Sequence, residues 1–378
     1  MRLAEIIGLR PVPAAGLFVT LTRRCPLSCA HCSTSSGPRG EDAPAQDLRR
    51  FIAGFTGRDR PDVLMLTGGE PLLRPALTGE LAGLARAAGT RTSVLSGMFF
   101  ARGGEVPPQI MRALRNVDHF SASIDAFHER EVPRAATFRA VHRIMDSGID
   151  VSFHVVGDTP GDPYIEDVTG AIRTEFRDQA AMLVNHVRPV GRAAGWAGAR
   201  TALRGNGGEG NGGEGNGGEG SGGEGSGGQG RPTPCAMAAW PVVAFDGTVV
   251  ACCNQRVVDA RPVPDHLRLG HIAADDWPSI RRRCHESPVL RTIRTAGVGS
   301  CADCRHLARR PAALAAARRD GERPAAGAVD ALAARLQREA GAEALVQRYG
   351  SARHAPLVLL GRPRDGDGDG DGGEEVCA

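Results

Sequence analysis

The sequence predicts an α/β fold, an open or partial (β/α)6 barrel followed by a small cysteine-rich domain. Short apolar runs recur between Gly16 and about Pro189, and longer amphipathic stretches lie between them. A Gly-rich repeat past residue 205 then separates this pattern from a segment dense in cysteine. The runs at 17–22, 63–67, 92–95, 119–124, 151–156 and 181–187 read as strands. The stretches at 46–55, 76–88, 108–114, 138–147 and 165–177 read as helices. Strands alternating with helices imply βα units and a parallel sheet, and six of them are too few for a closed eight-stranded barrel.

Composition narrows the chemistry. Apolar residues make up 41% of the 378 and aromatics only 4%, so the core is built mainly from Ala, Val, Leu and Ile. The net charge of +3 asks for neither nucleic acid nor a membrane surface. No apolar run reaches the length of roughly 18 residues that a spanning helix needs. The chain contains no lysine, which excludes a pyridoxal-phosphate enzyme anchored as a Schiff base. Residues 1–15 lack a basic region followed by an apolar one, so no signal peptide is expected. The ten cysteines therefore read as metal ligands or reactive thiols in a reducing cytoplasm, not as disulfides.

In parallel α/β folds the chemistry sits at the carboxyl ends of the strands. Directly after the first strand comes Cys25-Pro-Leu-Ser-Cys29-Ala-His-Cys32. Three thiolates at this spacing can hold three irons of a [4Fe–4S] cube and leave the fourth open to a bidentate small molecule. The alternative is a zinc knuckle with His31 as fourth ligand. At the end of the second strand stands Thr67-Gly68-Gly69-Glu70-Pro71. Its glycines allow close backbone approach to a ligand, and Glu70 offers an acceptor to an ammonium.

These two motifs together resemble the radical S-adenosylmethionine (SAM) superfamily, whose signature is Cys-x3-Cys-x-aromatic-Cys with a Gly-Gly-Glu turn about 35 residues on; His31 takes the aromatic position. The resemblance implies a [4Fe–4S] cluster on Cys25, Cys29 and Cys32, with SAM on the open iron. SAM would be cleaved to a 5′-deoxyadenosyl radical that abstracts hydrogen from a substrate. It also implies a SAM-binding set of Gly68, Gly69, Glu70, Pro71 and His31, with Ser96 and Gly97 where relatives carry Thr-Asn-Gly. Ser123 and Asp125 match a Ser-x-Asp stretch facing the ribose or methionine part of SAM, and share one strand face. Asp125 is equally suited to cap the next turn. Arg134 stands where relatives place an arginine near the SAM carboxylate, with a surface ion pair as the ordinary reading. Arg188-Pro-Val-Gly-Arg192 resembles a Pro-x-Gly-Arg turn of the same branch.

Seven cysteines lie beyond the repeat: Cys235, Cys252, Cys253, Cys284, Cys301, Cys304 and Cys377. Residues 242–252 read as a hairpin turning at Asp246-Gly247, which brings Cys235 and Cys252 together. Cys301-Ala-Asp-Cys304 supplies a chelating pair. Four such thiolates suit [4Fe–4S] or zinc equally. The spacing Cys-x11-Gly-x4-Cys followed by Cys-x2-Cys resembles the SPASM/Twitch extension of radical SAM enzymes. With Arg310 where the longer form continues in cysteine, this implies the Twitch form with one auxiliary [4Fe–4S] cluster on Cys235, Cys252, Cys301 and Cys304. Cys253 and Cys284 are left over as candidate hydrogen donors to a substrate radical, against the ordinary reading of small buried hydrophobes.

The expected divisions are a radical SAM partial barrel over 1–195, a flexible Gly-rich linker over 196–233, a Twitch-like domain over 234–310, a helical extension over 311–350 and a disordered tail over 351–378 that holds Cys377. By resemblance the substrate is a ribosomally made peptide, matured by crosslinking, thioether formation or epimerisation. A sugar, cyclitol or alcohol of secondary metabolism is the alternative substrate. A non-catalytic iron–sulfur sensor or zinc scaffold is the alternative of another class. An electron donor such as flavodoxin or ferredoxin is implied. Only about 15 residues precede the first strand, so leader-peptide recognition is expected from a separate protein or the Twitch region.

Overall fold

Six parallel strands carry the first half of the chain in the computed structural model, which describes residues 1–158, 162–177, 179–197, 232 and 234–349, with side chains of the last helix described to residue 336 and at 338. The Gly-rich repeat, most of the linker, the tail and Cys377 lie outside these residues. After α1 (Leu3–Gly8) come β1 (Gly16–Thr20), α2 (Ala45–Ala53), β2 (Val63–Thr67), α3 (Pro75–Ala87), β3 (Arg91–Ser96) and α4 (Pro108–Leu114). Then follow β4 (His119–Ile124), α5 (Arg134–Met145), β5 (Asp150–Gly157), α6 (Pro163–Phe176) and β6 (Ala181–His186). Each of these strands pairs in parallel with the next. Leu17, Val19, Leu64, Leu66, Val94, Phe120, Ala122 and Phe153 are fully buried, as expected of strands covered on both faces. The α/β fold read from the sequence is the fold observed.

Helix α5 starts at Arg134, four residues before the expected start, directly behind Pro133. Its first turn, Arg-Ala-Ala-Thr, carries no large apolar residue to reveal it, yet Ala136 and Thr137 are buried there.

The segment after the repeat continues the same sheet. Strands β7 (Val242–Val243), β8 (Thr248–Val250) and β9 (Arg268–His271) follow, and the strand order is β6-β5-β4-β3-β2-β1-β7-β8-β9. β7 runs parallel to β1, while β7–β8 and β8–β9 are antiparallel. The expected hairpin is present, with Gly247 at φ 87° and Asp246 Oδ1 accepting from Thr248 N at 3.0 Å. The sheet is open, with β6 and β9 at its edges. Helices α7 (Gln255–Val258), α8 (Trp277–Glu286), α9 (Pro288–Thr295), α10 (Cys301–Arg305), α11 (Pro311–Glu322) and α12 (Pro324–Tyr349) complete the described chain.

Trp240 seats this second segment on the barrel. A side chain at Gly16 would overlap its ring, which is fully buried. Trp240 Nε1 donates to Leu9 O at 2.9 Å, and its ring centroid lies 5.6 Å from that of Phe18. The Arg10 guanidinium covers both rings, at 4.7 and 4.9 Å. Burying one such indole contributes roughly 4–6 kcal/mol at ordinary transfer values. Farther on, Arg294 grips Asp330 with bonds of 3.1 and 2.7 Å, both side chains largely buried, and so ties α9 to α12.

Candidate functional site

Cys25, Cys29 and Cys32 lie in the loop that leaves β1, at the carboxyl end of the sheet. They are free thiols, the first two buried. Burial pushes the Cys25 thiol up to about 12, and the charges of Glu70, Cys29 and Cys32 add to the rise. Three thiols from one loop match the ligands of an iron–sulfur cube with one open iron.

The Gly-Gly-Glu turn meets this loop. The close approach that the glycines permit is to the chain itself. A Cβ at Gly68, whose φ is 142°, would overlap the Thr22 carbonyl, and one at Gly69 would stand 2.8 Å from the Arg24 carbonyl carbon. Gly69 N donates to Thr22 O at 2.6 Å and Glu70 N to Arg24 O at 2.9 Å, so the turn is stitched to the residues just before Cys25. Glu70, in turn, is fully buried and engaged on both oxygens. Oε1 accepts from Leu72 N at 3.0 Å and Oε2 from Gly97 N at 2.9 Å, while Ser96 Oγ lies 3.1 and 3.0 Å from the two. The carboxylate thus ties the end of β2 to the end of β3, and Ser96 serves that tie. Pro71 opens the following 3-10 turn, and its carbonyl accepts from Thr78 Oγ1 at 2.9 Å.

Burial raises the Glu70 carboxyl to about 7, against hydrogen bonds that lower it. A carboxylate raised in the folded state costs nothing below its unfolded value and increasingly more as pH climbs to the folded value. Metal-free protein is therefore expected to lose about 3 kcal/mol of stability between pH 4.5 and 7 from this group. Urea denaturation at pH 5 and pH 8 checks it: the difference between wild type and Glu70→Gln changes across that window, and a constant difference refutes the assignment.

Asp125, at the end of β4, is fully buried. Oδ1 caps the next turn, accepting from Phe127 N and His128 N at 2.9 Å each, so the capping reading holds. Oδ2 holds two imidazoles, His128 Nδ1 at 2.5 Å and His31 Nε2 at 3.2 Å. Burial opposes the Asp125 charge, but the two histidines hold its carboxyl well below the usual range. His128 is a residue the sequence did not single out. Burial alone would lower His128, and chiefly the Asp125 carboxylate lifts it to about 10. His31 stacks on Phe127 with centroids 4.7 Å apart. Ser123 lies on the same β4 face as Asp125, in register with His154. His154 Nε2 lies 2.9 Å from Asn185 Nδ2, and burial lowers this imidazole to about 4. Arg134 is instead in the ordinary ion-pair arrangement, with Nε on Glu129 at 2.7 Å and Nη2 on Asp167 at 2.6 Å.

The turn after β6 closes over the cysteine loop. Arg192 N donates to Cys32 O and Arg192 Nε to Cys29 O, each at 2.9 Å; Nη1 donates to Ser36 O. Trp196 Nε1 donates to Ala30 O at 3.1 Å. Gly191, at φ 57°, has no room for a Cβ against the Cys32 and Ser33 carbonyls.

The second cysteine set comprises five thiols whose charges act on one another. Burial pushes Cys252 well above its usual value, and the charges of Cys253, Cys235 and Cys304 add to this. Cys304 is raised by burial to about 12, with Cys235 and Cys301 contributing. Cys235 is raised by burial and by Cys301 and Cys253. Cys301 and Cys304 lie three residues apart in α10, whose N-cap Ser300 forms a capping box with Asp303. The charge of Cys253, left over in the sequence reading, acts on Cys252 and Cys235, and Arg10 Nη2 donates to its sulfur at 3.2 Å. Cys284 is fully buried in α8 with Sγ 3.5 Å from Ala239 O, and burial lifts its thiol to about 11. Its charged neighbours are Arg294 and Asp330, so the buried-hydrophobe reading replaces that of a hydrogen donor.

Fold and first thiol set define the class. Residues 19–170 match the profile of the Radical SAM superfamily, and this part of the chain is a radical SAM domain. The chain is 37% identical over 110 residues to the AdoMet-dependent heme synthase of Methanosarcina barkeri, across 28% of this chain and 29% of that protein. It is 32% identical over 134 residues to the GTP 3′,8-cyclase of Geobacter sulfurreducens, across 34% and 37%. The match thus spans about a third of the length of these relatives. Among solved structures, Streptococcus suis SuiB bound to S-adenosylmethionine aligns with a TM-score of 0.47 at 12% identity, over 71% of this chain and 65% of that one. The anSMEcpe structure with bound AdoMet and Cp18Cys peptide aligns with a TM-score of 0.46 at 13% identity, over 80% and 99%.

Proposed function

We propose that this chain is a radical SAM enzyme that matures a ribosomally made peptide, by crosslinking, thioether formation or epimerisation. The observation that carries the reading is the grouping of Cys25, Cys29 and Cys32 beside the buried Glu70 tie, at the strand ends of a radical SAM domain. When bound, the cluster and SAM supply a 5′-deoxyadenosyl radical that takes hydrogen from a substrate carbon. The chain's own residues do the rest. The three thiols would hold the cluster, and Glu70, Ser96 and Gly97 fix the frame around that place. His31, Ser123 and His154 offer polar groups toward SAM or substrate. Arg192 and Trp196 cover the cysteine loop, which favours exclusion of water.

The peptide substrate rests on the resemblance of the second thiol set to the SPASM/Twitch extension. Cys235, Cys252 or Cys253, Cys301 and Cys304 would hold an auxiliary [4Fe–4S] cluster that accepts an electron from the substrate or ligates it. Flavodoxin or ferredoxin would supply the reducing electron, and a separate protein the leader recognition. Anaerobic reconstitution tests the reading. About eight irons per chain, expected for two four-iron clusters, together with 5′-deoxyadenosine formed under dithionite, support it. Iron without SAM cleavage refutes it in favour of a redox sensor. Turnover with a sugar or cyclitol and with no peptide overturns the substrate.

A further inference from the structure

We infer that Arg10 is the fixed counter-charge of the second thiol set, a positioning residue that reaches from the start of the barrel segment to the sulfur of Cys253. The inference rests on the reading of that set as a metal site, and adds to it a residue from outside the cysteine-rich segment. Arg10 follows α1 and its backbone is held there. Arg10 N donates to Ile7 O at 3.0 Å, and the neighbouring Leu9 O accepts from Trp240 Nε1 at 2.9 Å. The guanidinium lies against the Phe18 and Trp240 rings, 4.9 and 4.7 Å from their centroids, and these faces orient its fork. Trp240 stands between Cys235 and Cys252 in the chain, so the ring that orients Arg10 belongs to the same segment as the thiols.

No carboxylate answers this charge. Among the described residues Arg10 forms no ion pair, and its Nη1 is buried without a hydrogen-bond partner. Arg294, by contrast, has Asp330 at 2.7 Å. A guanidinium is always charged and offers donors only. Left unpaired beside two aromatic rings it is costly, and an anion next to it removes that cost. What it faces is sulfur: Nη2 donates to Cys253 Sγ at 3.2 Å. Thiolates around a metal carry the negative charge of the centre. A fixed cation with an N–H aimed at one sulfur holds such a set in its metal-bound state. Net charge and hydrogen bonds to sulfur also set the potential of an iron–sulfur centre, and a cation favours its reduced form.

The test uses full-length Cys29→Ala protein, reconstituted anaerobically, so that metal is followed at the second set alone. Two quantities are read: the rate at which a colorimetric chelator strips the metal, and the midpoint of an EPR-monitored redox titration. Arg10→Met, which keeps an unbranched apolar stem but loses charge and donors, is expected to release metal roughly tenfold faster and to show a more negative midpoint. Arg10→Lys, which keeps the charge without the fork, is expected to fall between the two. Arg10→Gln, which keeps an N–H without the charge, is expected to follow Arg10→Met in midpoint. If the set takes up zinc, the stripping rate alone decides. Arg10→Met with the stripping rate and midpoint of its parent overturns the inference and leaves Arg10 as packing for Trp240, while the metal-site reading stands. If Arg10→Met does not fold, parental values in Arg10→Gln overturn it equally. Cys29→Ala protein that binds neither iron nor zinc would refute the metal-site reading itself.

Discussion

Alanine at Cys29 is expected to remove about four irons per reconstituted chain and to abolish SAM cleavage, whereas alanine at Cys304 removes about four irons and leaves cleavage in place. The asymmetry follows from where the two thiol sets sit. Cys29 belongs to the loop stitched to the Gly-Gly-Glu turn and covered by Arg192, and its thiolate is one of only three for its cluster. Losing it leaves two ligands. Cys304 belongs to the five-thiol group on α10 and the β7–β8 hairpin. Its loss would strip the proposed auxiliary cluster, which takes no part in the first reductive step. The same measurement on Cys252→Ala and Cys253→Ala shows which of the doublet is the ligand. Cys284→Ala is expected to lose no iron, since its sulfur faces Ala239 O in the core. Colorimetric iron and chromatographic 5′-deoxyadenosine read both quantities. Retained cleavage in Cys29→Ala would overturn the assignment of the first site.

The strands of the barrel were legible because parallel strands covered on both faces must be apolar throughout, and each such run in the sequence is a strand in the fold. β9 gave no such signal. Its Arg268-Leu-Gly-His is held by pairing with β8 across a register shift at Val249/Val250, a tertiary cause that local composition does not encode. The cysteines were legible for a different reason: chelation fixes sequence spacing before any fold is known. What could not be read was the partner of each polar side chain. Glu70 was read as an acceptor for a ligand, and its bonds to Leu72 N and Gly97 N, which knot two strand ends together, gave no sequence signal. Arg134 looked like a carboxylate fork and has found Glu129 and Asp167. His128 carried no motif weight, because its importance comes from Asp125 meeting it in space.

Alanine at Gly68 is expected to be the most damaging single change outside the cysteines. At φ 142° an L side chain is strained, which costs of order 1–3 kcal/mol, and overpacking in a well-packed region adds about 1–3 more. Together these take a large part of the 5–15 kcal/mol typical of a domain. The strain cannot be relieved on the Gly68 side, because Leu21 N bonds Thr67 O and Gly69 N bonds Thr22 O on either side of it. What must move is the stretch from Thr22 to Arg24, and Cys25 moves with it. Iron at the first site is therefore expected to fall together with stability, while iron at the second site, whose thiols hang from the hairpin and α10, is retained. Gly57→Ala is the control: a Cβ there meets nothing within 4 Å, and a change below about 0.5 kcal/mol is expected. Urea denaturation and iron counts on both variants decide. Gly68→Ala with wild-type stability and full iron would mean that the turn and the cysteine loop are not packed as a unit.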